Sequence, residues 1–198
     1  LKYNITQWDN YKLNYWAIPK CGNTAVKACL ALPSVEEHNI HSKEKWVHDE
    51  TKLNYINDRD ALANSYFNFT VTRNPYERFI SMYKDFGIRR PYGALKRIID
   101  FEREMTFDYF LSLVLEHMST DKCNKHIRSQ TSFICKKGNM LVEEIIDLKN
   151  LQSFFDRYNI TVRQYNKTSD DIINLTQEQR NKIYNRYESD FELLGYKK

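Results

Sequence analysis

The chain has 198 residues and a formal charge of +4, with 41% hydrophobic and 28% charged residues. That length gives one domain, residues 1–198, as the natural expectation, and it allows a core without disulfides or metals. So mild a charge, with no aromatic residues interleaved in a dense Lys/Arg track, excludes a nucleic-acid-coating protein but suits an anionic substrate if the positive charge gathers in one cleft.

Residues 1–14 read as a polar lead-in, and Tyr15–Ile18 as a short strand. Asn23–Leu32, rich in good helix formers, reads as a helix that Pro33 closes. Residues 34–57 are polar and irregular, and Asp58–Asn64 suits a short helix. Tyr66–Thr72 is aromatic and β-branched, hence a strand. Asn74 suits an N-cap and Pro75 the first helical position of a helix running to about Phe86, with Phe79, Met82, Tyr83 and Phe86 on one stripe. Thr106 caps a helix to Met118 whose apolar face is Phe107, Phe110, Leu111, Val114 and Leu115. Lys136-Lys137-Gly138 reads as a solvated hairpin tip, Met140–Ile146 as a strand ending at Asp147, and Lys149–Tyr158 as a helix. Thr176 with Gln179 forms a capping box for the last helix.

Strands alternating with helices imply an α/β fold on a central, mainly parallel sheet. Ligands bind such sheets beyond the carboxyl ends of the strands. Both the 18–25 loop and Arg73 fall at such ends, so they are expected to face one cleft.

The loop reads Ile18-Pro19-Lys20-Cys21-Gly22-Asn23-Thr24-Ala25, a strand, a small-residue turn and a helix. Amides in such a turn, and the positive end of the helix dipole, form an anion cradle. It is not a Walker A loop, which needs G-x-x-x-x-G-K-[ST] with lysine directly before the hydroxyl residue. Lysine here comes early, and Thr24 sits at the helix start. In the second element, Arg73 leaves a strand end and Ser81 lies on the following helix, a guanidinium and a hydroxyl suited to a terminal phosphate monoester. The duller readings are a solvated turn for Lys20, an ion pair with Asp147 for Arg73, packing for Ser81, and a structural pairing with Glu77 or the chain terminus for Arg78.

Pro19-Lys20-Cys21-Gly22-Asn23-Thr24 and Arg73-Asn74-Pro75-Tyr76-Glu77-Arg78-Phe79-Ile80-Ser81, in this order, resemble the two nucleotide-binding segments of PAPS-dependent carbohydrate sulfotransferases, the Golgi-type family with its bacterial and viral relatives. Asp190-Phe191-Glu192-Leu193-Leu194-Gly195-Tyr196 is similar to that family's C-terminus. One departure is Asn23, where Ser or Thr is commoner; its amide can still donate.

The resemblance implies a P-loop-like three-layer fold, the donor 3′-phosphoadenosine 5′-phosphosulfate (PAPS), a carbohydrate acceptor and no metal. It assigns the 5′-phosphosulfate to Lys20, Thr24 and the backbone of Cys21, Gly22, Asn23, Thr24 and Ala25, and the 3′-phosphate to Arg73 and Ser81. Lys20 would neutralise charge on the leaving bridge oxygen. The general base is expected at His48, with His126, Asp49 and Glu50 as alternatives, and Arg128 suits an acidic acceptor sugar. A kinase-like phosphotransferase and a non-catalytic glycan- or nucleotide-binding relative are the competing readings.

Cys21, Cys29, Cys123 and Cys135 include no CxxC pair, and the histidines lack ligand spacing, so a zinc site is not expected. Cys123 and Cys135 are either a disulfide or two thiols. Sequons at Asn4, Asn68, Asn159, Asn166 and Asn174 point weakly to a secretory compartment, and a bacterial or viral origin would place the protein in the cytoplasm. Asn68, in a strand read as buried, has no room for a glycan. No run of 18 apolar residues exists to span a bilayer, no secretory signal is visible, and an N-terminal anchor outside these residues stays open.

Overall fold

The computed structural model describes residues 4–31, 53–89, 104–117, 124–162 and 172–198. They divide into two compact units, Leu1–Arg73 with Ser132–Asn166 and Asn74–Thr131 with Lys167–Lys198.

The strands of the first unit are β1 (Ile5–Trp8), β2 (Leu13–Trp16), β3 (Tyr55–Ile56), β4 (Phe67–Thr72), β5 (Cys135–Lys136), β6 (Asn139–Met140) and β7 (Glu144–Asp147). Five of them form a sheet in the order β3-β1-β2-β4-β7, while β5 and β6 make a separate hairpin. The helices are α1 (Asn23–Ala31), α2 (Asp58–Ala63), α3 (Pro75–Met82), α4 (Phe107–His117), α5 (Thr131–Ile134), α6 (Leu151–Asp156) and α7 (Gln177–Leu193).

The sheet is mixed rather than mainly parallel. β2 runs parallel to β4 and β4 to β7, but β1 is antiparallel to both β2 and β3. The cause is local. Only the turn of Asp9–Tyr11 and the left-handed Lys12 (φ 53°) joins β1 to β2, and a parallel pair needs a crossover of a dozen or more residues. The polar lead-in is therefore also corrected: Ile5–Trp8 is a strand, and β2 begins at Leu13. Its polar residues hid it, because Thr6 and Asn14 are buried.

Along β2 and β4 apolar and polar residues alternate, as the two faces of a strand require. Leu13, Tyr15, Phe69 and Val71 pack with Val26, Cys29 and Leu30 of α1 and with Leu151, Phe154 and Phe155 of α6. The other face is polar, buried and hydrogen-bonded. Asn68 accepts from Trp16 Nε1 at 2.9 Å and Asn14 Nδ2 at 3.1 Å, while its own N–H donates to Glu143 at 2.7 Å. Thr70 Oγ1 donates to the Trp16 carbonyl at 2.7 Å. Asn68 is thus a structural hub, which leaves its sequon no accessible amide.

The second unit packs Tyr76, Phe79, Met82 and Phe86 against Tyr109, Phe110 and Val114 of α4 and Ile183, Tyr187 and Phe191 of α7. The expected helix to Phe86 is α-helical only to Met82, and a π-helical stretch, Tyr83–Arg89, continues it. Tyr83 donates from its hydroxyl to the Met105 carbonyl there, and Gly87 lies against the Tyr83 ring, where a Cβ would come within 2.7 Å. The strand expected at 140–146 starts only at Glu144. Before it, Lys137 (φ 52°) and Gly138 (φ 82°) make the two-residue turn of the β5–β6 hairpin, an exposed tip.

Asn68→Ala should lower unfolding stability by about 1–3 kcal/mol in urea titration, because the buried Trp16 indole N–H would lose this acceptor, while Asn14 Nδ2 keeps the Ala61 carbonyl and Asn64 Oδ1. A loss under about 0.5 kcal/mol would mean that water replaces the amide.

Candidate functional site

β2 ends at Trp16, and the chain turns at once. The Cys21 amide donates to the Ile18 carbonyl at 3.3 Å, closing the turn with Lys20 left-handed at φ 69°. A lysine held there stores strain of about 1 kcal/mol or more. Gly22 follows at φ 75°, a conformation that glycine alone adopts without penalty, and an added Cβ would sit 2.6 Å from Leu148 Cδ1. The Gly22 carbonyl accepts from Val26 N at 3.0 Å, the first bond of α1. The amides of Asn23, Thr24 and Ala25 precede that first bond and stand at the positive end of the helix. Lys20, Gly22, Asn23, Thr24 and Ala25 are half-buried while Cys21 is fully buried, so the six expected cradle residues form one turn and the first helical turn.

The parallel register places Arg73 at the same edge. Trp16 pairs with Thr70 and Thr72 with Asp147, so β2, β4 and β7 all end toward one side of the sheet. Arg73, half-buried, leaves β4 there, and Leu148, directly after β7, touches Gly22. Asp147 accepts from its own Lys149 amide at 2.8 Å.

In the second unit Asn74 caps α3 by accepting the Tyr76 amide at 3.0 Å, with Pro75 in the first turn, as the sequence predicts. Ser81 is buried on that helix. Arg78, only 1% exposed, donates to the Arg128 carbonyl at 2.8 Å and the His126 carbonyl at 3.1 Å. Tyr187 donates to the Ile127 carbonyl between them at 2.8 Å. Asp190, fully buried, accepts the amides of Gln130 at 2.8 Å and Thr131 at 2.9 Å, and the Thr131 hydroxyl at 3.0 Å. Burial pushes the Asp190 carboxyl up, and the Arg78 charge is the largest influence opposing it. The segment carrying His126 and Arg128 is thus gripped from α3 and α7.

The His126 ring is oriented as well. Asn124 Oδ1 accepts the His126 backbone N–H at 3.0 Å and lies 2.7 Å from Nδ1. An oxygen that accepts the amide is also an acceptor toward the ring, so Nδ1 is the nitrogen that carries a proton, which in a neutral imidazole puts the lone pair on Nε2. Phe86 packs edge-on against the ring at 5.0 Å.

His38, His41, His48, Asp49, Glu50 and Cys123 lie outside the described residues, and with Cys123 the question of its pairing to Cys135. Among the described residues no cluster of His, Cys, Asp or Glu is arranged to hold a metal, and no helix is long and apolar enough to cross a membrane.

Asn124, Tyr187 and Asp190 were not singled out by sequence reasoning. Asp190 had a signal, an aspartate beside an apolar run near the C-terminus; the other two had none. Asp190→Asn should destabilise the protein by about 1–3 kcal/mol, since one amide N–H would then face an NH₂ group. Hydrogen exchange at Gln130 and Thr131 should accelerate more than elsewhere in the second unit; uniform acceleration would contradict local anchoring by Asp190.

A sequence profile described as Sulfotransferase family matches residues 3–197. Carbohydrate sulfotransferase 10 of Pongo abelii is 35% identical over 95 residues, covering 42% of this chain and 26% of that protein. The Homo sapiens protein of that name is 34% identical over the same length and the same shares. The Rattus norvegicus one is 23% identical across 96% of this chain and 66% of its own length. The better-matching stretches thus span about a quarter of those relatives' length. No solved structure matches the chain significantly. On the profile match over nearly its whole length, the chain belongs to the sulfotransferase family.

Proposed function

We propose that residues 1–198 act as one sulfotransferase domain that moves the sulfuryl group of PAPS to a hydroxyl of a carbohydrate. The observation that carries this reading is the Lys20–Ala25 turn, whose left-handed Gly22 leads from the end of β2 straight into the positive end of α1. Those residues fit a phosphosulfate: backbone donors, a hydroxyl at Thr24, and a lysine in the turn. The carbohydrate acceptor is inferred from the names of the relatives.

PAPS supplies an activated sulfuryl group, which an acceptor hydroxyl takes by in-line attack at sulfur. The amides of residues 22–25 and the Thr24 hydroxyl hold the 5′-phosphate, the Cys21 amide being taken by the Ile18 carbonyl that closes the turn. Lys20 neutralises the charge that grows on the departing bridge oxygen. Preorganised donors of this kind are commonly the largest catalytic contribution. Arg73 and Ser81 recognise the 3′-phosphate, following the resemblance of their segment. That contact separates PAPS from ATP, which lacks the group.

The base removes the acceptor proton. His48 is the choice from sequence, with Glu50 beside it. His126 gains support from its neighbours, because Asn124 holds Nδ1–H, the tautomer in which a neutral imidazole accepts a proton at Nε2. Arg128, two residues on, is proposed to bind an acidic sugar.

Transfer of radiolabelled sulfuryl groups from PAPS to a panel of glycans tests the reading. Lys20→Met should lower kcat by about 10²–10³-fold. Of His126→Gln and His48→Gln, the variant of the base should lose about 10²–10⁴-fold in kcat while still binding donor. Absence of transfer to every glycan, with Mg²⁺-dependent ATP turnover instead, would favour a kinase-like enzyme. Donor binding without transfer would leave a binding protein.

A further inference from the structure

We infer that Tyr15 is a positioning residue for the donor cradle, fixing the Asn23 carboxamide so that its nitrogen, not its oxygen, is presented to the bound anion. The inference rests on the proposed donor site and adds a residue that neither the motif nor the family resemblance names.

Tyr15 is the third residue of β2 and is completely buried, its ring stacked on Phe69 with centroids 5.2 Å apart. Its hydroxyl donates to Asn23 Oδ1 at 2.5 Å, a short bond that crosses from the strand to the first residue of α1. Among the described residues this is the phenol's hydrogen-bond partner. Burial, with a smaller push from Cys21, raises the phenol well above its ordinary range, so it remains a donor.

A carboxamide has two unlike ends, an acceptor oxygen and a donor nitrogen. A serine or threonine in its place carries one hydroxyl that can rotate to donate. An asparagine at the mouth of an anion cradle must be oriented, because its oxygen would repel the phosphate that its nitrogen would bind. The Tyr15 phenol supplies the orientation. It claims the oxygen, the amide is planar, and the NH₂ group is left on the side away from the strand. The half-buried position of Asn23 keeps that group within reach of a ligand at the helix N-terminus.

Calorimetric titration with 3′,5′-PAP tests this, with thermal unfolding as a fold check on each variant. Tyr15→Phe should weaken PAP binding about five- to twenty-fold. In an Asn23→Ser background the same Tyr15→Phe change should have no further effect, because serine has no amide to orient. Asn23→Asp keeps an acceptor for Tyr15 but presents a carboxylate to the anion, and should weaken PAP binding more than about fifty-fold, a like-charge effect. An equal penalty for Tyr15→Phe in both backgrounds would show that the phenol acts through packing and overturn the inference. So would undiminished binding by Tyr15→Phe or by Asn23→Asp. If the wild type itself fails to bind PAP, the donor reading falls and takes this inference with it; wild-type binding with an unaffected Tyr15→Phe removes the inference alone.

Discussion

The parallel pairing of β2 with β4, and of β4 with β7, is the constraint on which the site depends. Its register aligns Trp16 with Thr70 and Thr72 with Asp147. Three strands then end on one side, and each delivers its next residues to the same edge: the Lys20–Gly22 turn, Arg73, and the Leu148 that packs under Gly22. A slip of one residue would turn every side chain of a strand to the opposite face. Phe69 and Val71 would leave the apolar layer, and Asn68 would lose Trp16 and Asn14. The buried polar face specifies this register as firmly as the apolar one, since each of those hydrogen bonds is made in only one alignment.

The second unit solves a different problem. The segment 124–131 is short and irregular, and it carries His126 and Arg128. Three of its carbonyls are met by Arg78 and Tyr187 and two of its amides by Asp190, all from buried positions. A segment without a sheet or helix ladder is thereby held by side chains, as buried backbone groups require. Arg78 and Asp190 both serve this one stretch, and the Arg78 charge offsets part of the cost of burying the Asp190 carboxyl. Aromatic packing of Tyr76, Phe79 and Tyr187 keeps the two helices that carry those groups in contact.

Much of this was legible in the sequence. The cradle turn, the Asn74–Pro75 helix start, the Thr176–Gln179 capping box and the hairpin tip each rest on a local rule, and each forms where the rule puts it. The β1 strand and the start of β2 were not legible, because Thr6 in the one and Asn14 in the other are polar by composition but buried by tertiary contacts. Nor was the antiparallel start of the sheet, because the cue for it was a turn inside a stretch that reads as polar throughout. The π-helical stretch after Met82 continues the helical pattern that the sequence shows, so only the close fit of Gly87 to Tyr83 marks it. Among the candidate residues, the Pro19–Thr24 and Arg73–Ser81 segments stand out by motif, whereas the side chains packed behind them do not: Tyr15 reads as one more aromatic core residue until its hydroxyl is seen on Asn23. The sulfotransferase family was legible because the two segments occur together and in order, and the family profile covers the chain.

The central claim is that the edge formed by the cradle and Arg73 takes a nucleotide bearing phosphates at both the 5′ and 3′ positions. Calorimetric titration of the unmodified protein with 3′,5′-PAP and, separately, with ADP tests it most directly. The account predicts micromolar PAP binding and ADP binding at least about thirty-fold weaker, a difference of roughly 2 kcal/mol for one charge-assisted phosphate contact. Equal affinity for the two nucleotides, or no affinity for PAP, would contradict it.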